Sequence, residues 1–119
     1  MKTSTFSKST LEIEQDAVKV APEAYTVLLE NEHVRVLDIR VKPGGSVPMH
    51  SHPTCILYAI TDVKAIFTLP DGTRRDEVMR AGEARWTGSF SHAAENIGKT
   101  ELHVLAIEFK EPLGEERGY

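Results

Sequence analysis

The stretch PGGSVPMHSHP, residues 43–53, decides how the rest of the chain is read. Its Pro-Gly-Gly opening is a strong turn signal, and Pro53 ends the segment that follows. Between them, 47–52 reads as a strand, in which successive side chains alternate between faces. His50 and His52 therefore project to one side and can offer ring nitrogens to a single ion. Val47 and Met49 fall on the outward face. Taken alone, a His-x-His pair is more often an ordinary surface or core pair than a metal site.

Working outward, the pattern is one of short strands between turns. Residues 25–29 and 34–41 are apolar and β-branched, separated by a hairpin-like break at 30–33. Segments 55–60 and 63–69 follow, divided by Thr61-Asp62. Pro70-Asp71-Gly72 is the clearest hairpin turn. Beyond it, 77–80, 84–87, 93–96 and 102–110 read as strands, with a loop at 88–91. Beyond a weak signal near the N-terminus, no segment holds a convincing helical period, so the fold class is all-β, a sandwich or barrel. Residues 1–20 read as an N-terminal arm, partly disordered or pairing with a partner. The barrel spans 21–112, and 113–119 form a mobile tail.

A second segment, GEARWTGSFSHAAEN at 82–96, places His92 after a glycine-bounded loop and four residues before Asn96. The two segments, in this order, resemble the two motifs of the cupin superfamily. Gly44, five intervening residues and His50-Ser51-His52 match the opening of the first motif; Gly82, His92 and Asn96 match the second. Residues 22–110 also resemble a subgroup of small cupins associated with β-alanine degradation. The resemblance implies a double-stranded β-helix (a jelly-roll barrel) with one divalent metal ion on His50, His52 and His92.

The sequence departs from that pattern in ways that bear on chemistry. Ile56 stands where the first motif has a glutamate ligand, and Val63 where it closes on glycine. Gly88 and Phe90 replace the proline and glycine of the second motif's loop, which is one residue shorter. A divalent ion on three neutral histidines keeps both charges, which favours anionic ligands. Zn²⁺ in such a site generates a hydroxide nucleophile. Fe²⁺ with open positions supports oxygenase chemistry, and some cupin dioxygenases use three histidines. Fe²⁺ is therefore favoured, with Ni²⁺ and Zn²⁺ as alternatives.

Strand parity around the family's glutamate position puts Ile56, Tyr58 and Ile60 on the inward face. Tyr58 is then the candidate catalytic hydroxyl. Cys55, on the other face, reads as a small buried hydrophobe. Of Arg85 and Trp86, only one can line the cavity; Arg85 there would pair with a carboxylate substrate. His103 reads as a core histidine with one hydrogen bond, His33 as solvated, and Asn96 as a turn residue bonding backbone groups.

Composition narrows the function classes. The formal charge is −4, with 14 basic and 18 acidic residues, and no basic cluster of the kind nucleic acid rewards. A single cysteine excludes an internal disulfide, and no signal peptide or membrane span is evident, so a cytoplasmic location is expected. Segment 102–109 is apolar on both faces, which predicts a homodimer. The functional expectation is a metal-dependent, dioxygenase-type enzyme acting on a small anionic metabolite, linked to β-alanine or amino-acid catabolism. The alternatives are a non-catalytic metal or small-molecule binding protein, and a metal-dependent isomerase or hydrolase.

Overall fold

The computed structural model describes residues 15–110. Nine strands follow one short helix: α1 (Ala17–Val20), β1 (Tyr25–Glu30), β2 (Val34–Val41), β3 (Ser46–His52), β4 (Cys55–Ala59), β5 (Val63–Thr68), β6 (Arg74–Met79), β7 (Ala84–Thr87), β8 (Phe90–Asn96) and β9 (Leu102–Phe109). Five strands form one sheet in the order β1-β2-β9-β4-β7, and four form the other in the order β3-β8-β5-β6. All strand pairings are antiparallel. The all-β expectation holds.

Alternation builds the core. On β2, Leu37, Ile39 and Val41 are buried, and on β9 so are Leu102, Val104 and Ala106; Val47, Val63, Ala65 and Met79 meet them from the other sheet. Each large apolar side chain so buried contributes about 1.5–3 kcal/mol relative to exposure. Turn chemistry links the strands where expected. Gly44, Gly72 and Gly82 adopt positive φ, a region where a Cβ is disfavoured. Asp71 Oδ1 accepts the Thr73 amide across the β5–β6 hairpin.

Three local expectations are corrected. Strand β6 starts at Arg74 rather than 77, because residues 74–79 pair continuously with β5. Residues 90 and 91, read as loop, belong to β8, where Phe90 and Ser91 pair with His52 and Ser51. The β3–β8 register also shifts by one residue between Val47 and His50. This bulge contains Pro48, which has no amide hydrogen for the ladder. It switches the face of the strand, so Val47 points inward with His50 and His52, and does not share Met49's face.

Residues 15–20, whose sequence leaves open a turn or a subunit-pairing arm, pack on this chain's own barrel. Asp16 caps α1 through the Val18 amide and bridges to Ser51 on β3, while Ala17 is fully buried. The expected arm at 1–14 and the tail at 113–119 lie outside the described residues. No helix among the described residues is long and apolar enough to cross a membrane.

Candidate metal centre

His50 and His92 are direct partners across β3 and β8, and His52 lies two positions along β3. All three are buried, and each offers a nitrogen within 4.8 Å of the others'. The three ring centroids stand 4.7 Å (His50–His92), 4.8 Å (His50–His52) and 5.7 Å (His52–His92) apart. Phe67 and Phe90 pack nearly perpendicular to the His92 ring, at 4.2 and 4.7 Å between centroids. Sequence parity and strand pairing thus bring together the three histidines named from the motifs.

Hydrogen bonds decide which nitrogens are available. His50 Nδ1 donates to the Pro48 carbonyl at 2.7 Å, so its Nε2 carries a lone pair. The Tyr25 hydroxyl donates to that Nε2 at 3.0 Å. His52 Nδ1 donates to Glu108 Oε2 at 2.8 Å, which leaves its Nε2 free to coordinate. His92 Nδ1 is buried with no hydrogen-bond partner, a costly state for a polar atom unless something else satisfies it. Burial pulls the His50 pKa down to about 4. His92 falls further, through burial first and then the neighbouring His50 and His52 rings. These two rings are neutral at physiological pH, the state a metal ligand requires. The donor set fits a divalent ion: three buried imidazoles, two of them held neutral by their surroundings.

Glu108 was not foreseen as part of the site. It is only 2% exposed, and its Oε1 accepts from Arg35 Nε and Nη2 at 2.9 and 2.7 Å. Arg35 in turn grips Asp16 with both terminal nitrogens. A continuous chain Asp16–Arg35–Glu108–His52 therefore runs from α1 to the site. A polar cleft reaches it from outside, lined by Asp16, Arg35, Ser51 and Glu108 among others. The signal was present in β9, since position 108 shares the face of Leu102, Val104 and Ala106 and carries the only charge on it. Tyr25, at the first position of β1, gave no such signal.

Tyr58 is corrected. The inward residues of β4 are Cys55, Leu57 and Ala59, while Ile56, Tyr58 and Ile60 face out; Tyr58 is 39% exposed and lines no cavity with the histidines. The turn at Pro53-Thr54 places the inward position five residues after His52, at Leu57 rather than Ile56. That position is still apolar, so no carboxylate joins the histidines from β4. Tyr25 supplies the hydroxyl that Tyr58 does not.

A cavity of about 400 Å³ opens from His52, His92 and Tyr25 toward the β6–β7 end of the barrel. Arg85 lines it; Trp86 is 58% exposed and stacks on Phe109. Cys55 is buried, as expected, with its thiol beside the Thr87 hydroxyl at 3.3 Å and its pKa raised by burial. His103 is not in the core; it lies on the outer face, bonded to Asp38 at 2.6 Å. Asn96 bonds the backbone of Val41, Gly98 and Thr100.

No family model and no curated protein matches the chain. Solved structures do. A cupin domain from Bordetella pertussis Tohama I is 26% identical, with a TM-score of 0.68 over 73% of this chain and 92% of that one. An RmlC-like cupin family protein with a double-stranded β-helix fold, from Methanocaldococcus jannaschii, is 19% identical, with a TM-score of 0.59 over 77% and 84%. A protein described as a predicted oxalate decarboxylase, from Thermotoga maritima, is 28% identical, with a TM-score of 0.52 over 71% and 77%. The fold of this chain is the cupin double-stranded β-helix.

Proposed function

We propose that this cupin-fold chain is a metal-dependent enzyme of dioxygenase type, with Fe²⁺ as its ion and a small anionic metabolite as its substrate. The observation that carries the reading is the buried His50–His52–His92 cluster, with one ring nitrogen left without a partner. With iron bound, the ion would supply oxidative chemistry; with zinc or nickel, Lewis-acid polarisation.

The chain's own residues have separable tasks. The Pro48 carbonyl and Glu108 fix the rings of His50 and His52 through Nδ1 and leave each Nε2 lone pair for an ion. The Tyr25 hydroxyl, buried beside His50, donates to an anionic group bound at the centre. The apolar wall excludes water and so strengthens electrostatic contacts within. The resemblance to β-alanine-degradation cupins supports a place in amino-acid catabolism. The 28%-identical neighbour described as a predicted oxalate decarboxylase supports acid substrates, and also favours a second reading in which the metal chemistry is non-oxidative.

The test is metal content by plasma mass spectrometry on the tag-free protein and on a His50→Ala, His52→Ala double variant, followed by oxygen-uptake assays with organic acids. Stoichiometric iron lost in the variant, with substrate-dependent oxygen uptake, is the expected result. Turnover without oxygen favours the non-oxidative reading. Ligand binding without any turnover leaves a binding protein, and absence of metal after reconstitution overturns the proposal.

A further inference from the structure

The cavity walls define the ligand more narrowly than the metal centre does. Its sides are Ile39, Val41, Val47, Leu57, Phe67 and Met79, with further apolar residues between them. A strongly hydrated ligand placed there would lose its water and gain no partners. An apolar body gains roughly 25 cal/mol for each Å² it buries.

Charge at the far end completes the argument. Arg85, on β7, was expected to receive a substrate carboxylate if it faced inward. It does line the cavity, but its charge is already matched by two carboxylates and three of its five N–H donors are engaged. Nη1 donates to Glu77 Oε1 at 3.0 Å, and Nη2 donates to Glu83 Oε2 at 2.8 Å and to the Val78 carbonyl at 3.0 Å. Arg75, the other cation lining the cavity, extends into solvent and pairs with Glu77 at 3.5 Å. The two arginines and two glutamates at this end balance. No unmatched positive charge awaits a second acidic group there.

We infer that the ligand is a monoanionic acid with an apolar body, its head group at the histidine cluster and its body along the Val41–Val47–Phe67 wall. This rests on the metal-dependent reading above and deepens it. Dicarboxylates of oxalate type do not fit the walls. A second carboxylate would either face the apolar lining or meet Glu77 and Glu83.

Isothermal titration calorimetry on the Zn²⁺-loaded protein, its metal content verified by mass spectrometry, tests the inference with two series. One runs from acetate through butyrate and hexanoate to octanoate; the other is succinate, adipate and suberate. Affinity should rise about three- to fourfold per methylene in the first series until the cavity fills, following ~0.8 kcal/mol per buried CH₂. Each diacid should bind at least tenfold more weakly than the monoacid of equal length. A Glu77→Gln, Glu83→Gln double variant frees Arg85, and one member of the diacid series should then gain at least fivefold. A flat monoacid series, or diacids that bind as tightly as monoacids in the unaltered protein, overturns the ligand class. Failure to load metal overturns the metal-dependent reading instead, so the two fail on different measurements.

Discussion

The Tyr25 hydroxyl stands 3.0 Å from His50 Nε2, on the one His50 nitrogen that the Pro48 carbonyl leaves free to bind an ion. Tyrosine and metal therefore compete for the same lone pair. When the ion takes it, the buried hydroxyl must find another acceptor, and the head group of a bound acid is placed to serve. Removing the hydroxyl should separate these two roles. In Tyr25→Phe, the metal-free protein loses about 1 kcal/mol of stability with that hydrogen bond. Metal affinity, read by chelator competition, should rise about fivefold, equivalent to ~1 kcal/mol, while anion affinity of the loaded protein falls. A drop in metal affinity would show that Tyr25 supports the ion rather than competing with it.

Glu108 acts through His52. A carboxylate behind a ligating histidine fixes its tautomer and ring orientation, and losing such a partner typically costs 10- to 100-fold in metal affinity. Glu108→Gln retains the shape and one acceptor, so a loss at the lower end of that range is expected. Asp16→Asn, two links further away through Arg35, should cost less. Equal losses in the two variants would mean that the network acts by stabilising the fold and not by orienting His52.

The histidine cluster was legible because strand alternation and motif spacing are local properties of the chain. Two face assignments failed because they were carried across a break. The Val47 assignment was lost at the Pro48 bulge, and that of Tyr58 at the Pro53-Thr54 turn; each break adds one residue and inverts everything beyond it. The Asp16–Arg35–Glu108 chain joins positions 19 and 73 residues apart, and no spacing announces it. Only the lone charge on the inward face of β9 hinted at it.

Metal-free protein should lose stability in acid. His50 and His92 are depressed in the folded state, His50 to about 4, against an ordinary value of about 6.5. Below that value the unfolded chain binds more protons than the folded one, so unfolding free energy falls with falling pH. The contribution is fully present above pH ~7 and is lost as pH drops toward 4, with roughly 3 kcal/mol at stake for His50 alone. Thermal melts of the chelated protein between pH 7.5 and 4 should show this decline. His50→Leu, His92→Leu together should flatten it, and an unchanged slope in that double variant would place the acid sensitivity elsewhere.

The outer face of the five-stranded sheet sets the expected assembly state. Ile56, Tyr58, Ile60, Trp86, Leu105, Ile107 and Phe109 all point away from the barrel core, and Trp86 and Phe109 stack there at 5.7 Å. Tyr58, Ile60 and Trp86 are 39, 41 and 58% exposed there, and exposed apolar groups gathered on one face mark an interaction site. A second copy of the same face would cover it by a two-fold contact, the commonest symmetry of soluble oligomers. Light scattering at micromolar concentration should then give twice the chain mass of 13.2 kDa. A Trp86→Glu, Ile107→Lys variant should shift the mass to the monomer while leaving metal content intact, because neither side chain touches the histidine cluster. A monomeric mass for the unaltered protein would refute the dimer.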